Sequence, residues 1–490
     1  MKLAAAVIFA TALVASSAAS SSTPFAPKSD PGVYPGGDIN PPDGWKTLPT
    51  IDGARIDNTT LVVGSGSGTL VHYIDAEYDA GKIKRAVIQI HGENRDAWNQ
   101  WIYSDLAAKR AATGGSFDRD EVVVMAPMFF NTGDEGAYPF DPNLDSGNAV
   151  TSTLDTATVT AGRRSFTHHT QGAPVASPVP AFERRSRVEH RGVHRIPLQK
   201  WSTTQAMIWK SIEWGDGSPA YEPADSAGAG SFEALDSAVS FFLDRTRFPN
   251  LRKVVIAGFS LGAQLTNRYA TFRDDTSQDD RLIFWISSPN SFVYLQDTRP
   301  LQIGTSCTET YGNYKYGLNG TLPNYYTRAT SRVSTSSLIT RYLSRTIFYL
   351  VGMDDLSAGL SSCAPNTQGY GHLDKMYYWT QQVVPMLPGS TGVEGELPGD
   401  GLVRYVAKTG HQDWKIITSD PGVETLWLKG WYENGTDAET PQSGGTVAAG
   451  TPSKSTIGNI HSANTAASGT RATVMALVLA AVGATMALLL

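Results

Sequence analysis

Cysteine is nearly absent from this 490-residue chain, with only Cys307 and Cys363 present. Two thiols leave room for one disulfide and no more. Charge is also sparse: 18% of residues are charged and the formal net charge is −6. The main body has no basic stripe interleaved with aromatics, so nucleic-acid binding is not expected. The glycine run Gly64 to Gly68 lacks the Gly-Lys-Ser/Thr ending of a phosphate loop. The histidines His168, His169, His190 and His194 lack ligand spacing with supporting carboxylates, so neither a metal nor a cofactor is expected.

Both ends carry processing patterns. Met1-Lys2 followed by Leu3 to Val14 and Ser17-Ala18-Ala19 reads as a secretory signal over 1–19. The end, 473–490, is apolar with no charge after it, and a polar spacer over 437–472 precedes it. Small residues, a spacer and an apolar tail form the layout of a GPI-attachment signal, with Asn464 as the expected attachment residue. A transmembrane helix is the alternative, although such a helix usually keeps Lys or Arg on its cytoplasmic side. Either form predicts passage through the secretory pathway and a location at the extracellular face of the plasma membrane or in the cell wall, with the C-terminus as membrane anchor. In that oxidising compartment Cys307 and Cys363 are expected to pair. Asn58, Asn319 and Asn434 each open an Asn-x-Thr glycosylation triplet.

Between the ends lie a Pro/Gly-rich lead over 20–49, expected to run extended over the surface, and a folded body over 50–436. Leu61 to Val63 and Thr69 to Ile74 flank the glycine run as two strands around a turn. Continuous apolar runs at Ala86–His91, Glu121–Met125, Lys253–Ala257, Leu282–Ile286, Thr346–Val351 and Leu402–Val406 read as strands buried on both faces. Helical patterns separate them: Trp98 to Ala112, then Phe232, Leu235, Val239, Phe242 and Leu243 with Ser231 as the cap, then Leu261 to Phe272. This alternation predicts an α/β fold, a three-layer sandwich with a mostly parallel sheet covered by helices on both faces. About 150–200 the composition turns Arg- and His-rich without apolar periodicity. That stretch is an insertion, or partly non-native sequence such as a translated intron.

Gly258-Phe259-Ser260-Leu261-Gly262 stands between an expected buried strand and an expected helix. A nucleophile on so sharp a turn needs glycine at the flanking positions, because side chains there would strike the neighbouring strand and helix. A serine hydroxyl needs an adjacent base, and in this chain order an acid and then a histidine follow the nucleophile past later strands. Gly352-Met353-Asp354-Asp355 and Gly410-His411 stand where that order requires. On these three motifs the body, from about Ala86 to Asp413, resembles the α/β-hydrolase superfamily. Together with the export signals it is similar to exported fungal-type serine hydrolases.

The resemblance implies the α/β-hydrolase fold and an esterase-type serine hydrolase. Ser260 would be the nucleophile, His411 the base and Asp355 its orienter, with Asp354 as the rival acid. Backbone N–H groups of Leu261 and of the turn at Gly92 and Glu93 would form the oxyanion hole. His91 is read as a structural residue of that turn, His72 as a strand residue, and His372 as lying in a Gly-Tyr-Gly loop. The expected partner is a small-molecule or lipid ester. A peptide bond, or a non-catalytic binding module on the same fold, are the alternatives. Oligomeric state is not legible. Trp98, Trp101, Trp201, Trp209 and Trp214 belong to the core or line a pocket. Tyr311 to Tyr326 is a cap over the site or a glycosylated loop.

Overall fold

Apolar runs that polar residues leave unbroken become strands with both faces covered. A computed structural model describes residues 27–431 except 65–67, 116, 139–204, 224–227, 303, 305–306, 308–309, 329–332 and 358–361. The signal, the Arg/His-rich stretch with Trp201, Asn434, Asn464 and the apolar tail lie outside the described residues.

The strands are β1 (Ala54–Asp57), β2 (His72–Asp75), β3 (Arg85–Ile90), β4 (Val122–Pro127), β5 (Phe130–Asn131), β6 (Ile208–Trp209), β7 (Lys253–Phe259), β8 (Leu282–Ser287), β9 (Thr346–Gly352) and β10 (Leu402–Val406). Eight of them form one sheet in the order β1-β2-β4-β3-β7-β8-β9-β10, and β5 and β6 pair separately. From β4 to β10 every neighbour is parallel, while β1–β2 and β2–β4 are antiparallel. This strand order, with an antiparallel start and a parallel remainder, is the α/β-hydrolase fold.

The longer helices are α1 (Ala97–Thr113), α2 (Ser231–Leu243), α3 (Leu261–Phe272) and α4 (Thr335–Ser344), with two shorter ones, α5 (His372–Tyr378) and α6 (Asp413–Ile417). Alternating strand residues feed two separate cores. Ile88, Val254, Ile256 and Phe284 pack with Phe232 and Leu235 of α2 and Leu265 of α3 on one side. Val87, Val255, Trp285 and Leu350 pack with Trp98 and Ala107 of α1, and with Ile416 of α6, on the other. The sheet is thus the middle of three layers. Trp98, Trp101, Trp209 and Trp214 are all buried in these cores.

Four details differ from the sequence expectations. β10 is the edge strand, and Leu402 to Tyr405 are only half-buried, so this run is not covered on both faces. Ser231 is the first residue of α2 and does not cap it. Gly230 holds the extended cap position, and its N–H donates to the Glu233 carboxylate (2.9 Å). Glycine is required there because a Cβ would lie 2.6 Å from the Ser218 carbonyl oxygen. The two strands flanking the glycine run shrink to one antiparallel bridge, Val62 to Thr69, and the regular strand is His72–Asp75. Thr69 is shared with Ala206, which takes part of the pairing. The lead is not wholly superficial: Trp45 is 2% exposed and meets Trp98 edge-to-face at 4.8 Å.

Cys307 and Cys363 are joined as a disulfide. Asn319 is exposed and Asn58 is half-buried. In the stretch Tyr311 to Tyr326, Tyr314 and Tyr326 pack on Phe272, at the opposite end of α3 from Ser260.

Candidate active site

The carboxyl ends of parallel strands open onto one edge of the sheet, and side chains from several loops converge there. β7 ends at Phe259 and α3 begins at Leu261, so Ser260 is the whole connection. Its backbone takes φ 54 and ψ −115, a left-handed conformation that an L-residue adopts only under constraint. The constraint comes from its neighbours. A Cβ on Gly258 would overlap the carbonyl of Gly262 and lie 2.6 Å from the Thr266 hydroxyl. A Cβ on Gly262 would overlap the His91 carbonyl and lie 2.7 Å from that of Ile90. Both flanking glycines are therefore fixed by contact, one with the helix and one with the end of β3, as the pentapeptide predicts.

β9 and β10 pair in parallel through Val406 and Gly352, which brings their following loops together. A Cβ on Gly352 would overlap the Thr409 carbonyl, and the Asp354 N–H donates to that same carbonyl (2.9 Å). Asp354 thus ties the two loops through its backbone. Asp355 carries the side-chain contact: its Oδ2 lies 2.8 Å from His411 Nδ1. His411 Nε2 lies 2.9 Å from Ser260 Oγ. The expected three residues meet in one line, and Asp355 rather than Asp354 completes it. Asp355 is 1% exposed, whereas the His411 side chain keeps 30% exposure and faces solvent. Phe259 packs against the His411 ring at 4.6 Å.

Burial alone would raise the Asp355 carboxyl. Hydrogen bonds from His372 and His411 outweigh it and hold the group below the ordinary carboxylate range. The His372 contact was missed by sequence reasoning. His372 is the first residue of α5, and its Nδ1 lies 3.0 Å from Asp355 Oδ1. Its ring stacks on His411 with centroids 4.1 Å apart. The sequence signal was faint: a Gly-His pair opening a helix, with no spacing to relate it to Asp355.

The turn after β3 runs beside the nucleophile, since a Cβ on Gly92 would lie 3.4 Å from Ser260 Cβ. Gly92 is buried and Glu93 exposed. Arg95 closes the turn with its N–H on the Gly92 carbonyl (3.2 Å) and its guanidinium on the Glu93 carbonyl (2.7 Å). Asp134 grips Arg95 through both oxygens (2.9 and 3.2 Å), and Trp45 donates its indole N–H to Asn94 (2.7 Å). Leu261 is the first residue of α3, where backbone N–H groups have no intrahelical acceptor. His91 turns inward: Nδ1 lies 2.8 Å from the Gly92 carbonyl, and Nε2 accepts the Phe129 N–H (3.0 Å). Burial lowers its pKa to about 3, so it is neutral and structural. His72 is likewise buried, with Nδ1 2.9 Å from the Leu70 carbonyl.

Asp355, His372 and His411 are also a group whose ligand atoms lie within 4.8 Å of one another. Their arrangement fits a catalytic acid and base, because His411 Nδ1 is hydrogen-bonded to one carboxylate oxygen while His372 Nδ1 lies 3.0 Å from the other.

No family model matches the chain, and no curated protein sequence matches it. Among solved structures it is similar to a poly(3-hydroxybutyrate) depolymerase from Bordetella parapertussis, at 14% identity and TM-score 0.40, over 74% of this chain and 85% of that one. It is similar to poly(aspartic acid) hydrolase-1 from Sphingomonas sp. KT-1, at 12% identity and TM-score 0.40, over 76% and 98%. A siderophore hydrolase from Aspergillus nidulans aligns at 11% identity and TM-score 0.33, over 78% and 97%. By its strand order and by the strand-to-helix turn at Ser260 this protein is an α/β-hydrolase in fold. The fold rests on those two features, and the likenesses add nothing about substrate.

Proposed function

We propose that this protein is a serine hydrolase that cleaves an ester by acyl transfer to water. The observation that carries the reading is the continuous chain Ser260 Oγ, His411 Nε2, His411 Nδ1, Asp355 Oδ2, with contacts of 2.9 and 2.8 Å.

Ser260 Oγ attacks the ester carbonyl carbon while His411 Nε2 takes its proton. The carbonyl oxygen becomes an oxyanion beside the N–H groups of Leu261 and of the Gly92–Glu93 turn, and donors fixed before reaction stabilise it most. The intermediate expels the alkoxide, which leaves as alcohol with the proton from His411. Water then attacks the acyl-serine carbonyl and gives its proton to His411. The second intermediate releases the carboxylic acid, and the proton returns to Ser260. Asp355 stays ionised throughout, which its lowered pKa favours, and holds His411 Nδ1–H in place.

The export signals support a secreted or cell-surface enzyme, GPI-anchored through Asn464, acting on a small-molecule or lipid ester. The signals lie outside the described residues, and among those described no helix is long and apolar enough to cross a membrane.

A fluorophosphonate probe tests the chemistry, because it modifies an activated serine and leaves ordinary hydroxyls alone. The protein is expected to label at one site and to lose labelling in Ser260→Ala. A folded protein that does not label sinks the reading.

A further inference from the structure

The Asp355 side chain is completely buried, yet it carries two imidazoles, one on each oxygen. Only one of them reaches the nucleophile. We propose that His372 is a positioning residue that fixes the Asp355 carboxylate, and through it the plane of the His411 ring. The inference rests on the triad reading above and deepens it.

The placement of His372 is built into the fold. Gly371 precedes it at the α5 cap, where a Cβ would lie 2.7 Å from the Leu356 carbonyl oxygen. The next residue, Leu373, donates its backbone N–H to the Asp355 carbonyl (3.0 Å). The first turn of α5 is thus docked on the acid loop by backbone and side chain together. Ser357 Oγ stands beside the pair, 3.4 Å from Asp355 Oδ1 and 3.3 Å from His372 Nδ1.

Apart from His372, Oδ1 has only the long hydrogen bond from the Ser357 hydroxyl (3.4 Å), which restrains turning about the Cβ–Cγ bond weakly. His372 Nδ1, at 3.0 Å, is the closer contact on that oxygen and limits the turning further. His372 can serve only with its proton on Nδ1, because that nitrogen faces the carboxylate. The groups facing it are Asp355, His411 and, from its own helix, Lys375. Burial, the larger influence, lowers its pKa and keeps the ring neutral at ordinary pH. Neutrality matters, because a second imidazolium stacked on His411 would oppose the proton that His411 must accept.

The test compares two amides. In His372→Asn the amide N–H₂ falls where Nδ1 was, and in His372→Gln it falls where Nε2 was. Each is assayed with p-nitrophenyl acetate, and by the rate of fluorophosphonate labelling at Ser260. The Gln variant is expected to lose about 10²-fold in kcat, the cost of a small misplacement of a catalytic group. Its KM should stay unchanged, since nothing that holds substrate is altered. The Asn variant should retain kcat within about threefold. A Gln variant at the wild-type rate, or an Asn variant as slow as Gln, overturns the proposal. Should Gln melt below the assay temperature, His372→Leu replaces it, with the same two readings. A wild-type protein that leaves Ser260 unlabelled fails the triad reading first. Wild-type labelling with indifferent variants fails His372 alone.

Discussion

Both ring nitrogens of His91 are satisfied by backbone groups, and the ring is fully buried. Its pKa is lowered to about 3 from an ordinary 6.5, with burial the main cause. Between those values the unfolded chain binds a proton that the folded chain does not. Stability therefore falls as pH drops through about 6.5, by about 1.4 kcal/mol per pH unit from this group, and levels off near pH 3. Replacing His91 with Gln, which can still accept from Phe129, should flatten that limb of a melting-temperature profile. An unaltered slope would mean another group sets it. At this scale Ser260, Asp355 and His411 were legible because each follows an apolar strand run within a few residues. His372 was not, since only the docking of α5 on the acid loop relates it to Asp355.

The turn from Gly92 to Arg95 is short, yet two separate pieces of chain clamp it, the lead at Trp45 and the loop at Asp134. Arg95 and Asp134 form a bidentate pair with side-chain exposures of 6% and 0%, and Asp134 also accepts the Trp45 and Asn131 backbone N–H groups (both 2.9 Å). Asp134→Ala would leave the guanidinium buried without its carboxylate, a loss of about 3–5 kcal/mol. Urea denaturation should report it, and kcat should fall with it if the turn donates to the oxyanion. A midpoint like that of the wild type would show that the clamp is dispensable. Trp45 came from a lead that composition marks as superficial. A Pro/Gly-rich stretch gives no periodicity from which a single buried indole can be read. The parallel strands were easier: Val122 to Met125 or Lys253 to Ala257 must be covered on both faces, and an unbroken apolar run says so. The antiparallel start was harder, because β2 interleaves His72 and Asp75 with Tyr73 and Ile74 and carries no clean alternation.

Across the whole molecule, the one covalent cross-link joins Cys307 to Cys363, 56 positions apart, in the region between β8 and α5. A loop of that length restrains the unfolded chain by about 4 kcal/mol on the chain-entropy model. Reduction should lower the melting temperature correspondingly, while an unchanged value would show that the folded state gains nothing from the link. The pairing was legible from there being two cysteines and from the expectation of an oxidising compartment. The proximity of the active groups was not legible as distance, only as order along the chain. Ser260 and His411 are separated by 151 positions and Asp355 and His411 by 56. Their strands β7, β9 and β10 come into register only through β8. A nascent chain leaving the ribosome carries the elbow long before it carries the base, and among the described strands β10 is the last to arrive. Whatever chemistry these residues perform is silent through most of synthesis and switches on when β10 and the loop after it take their place.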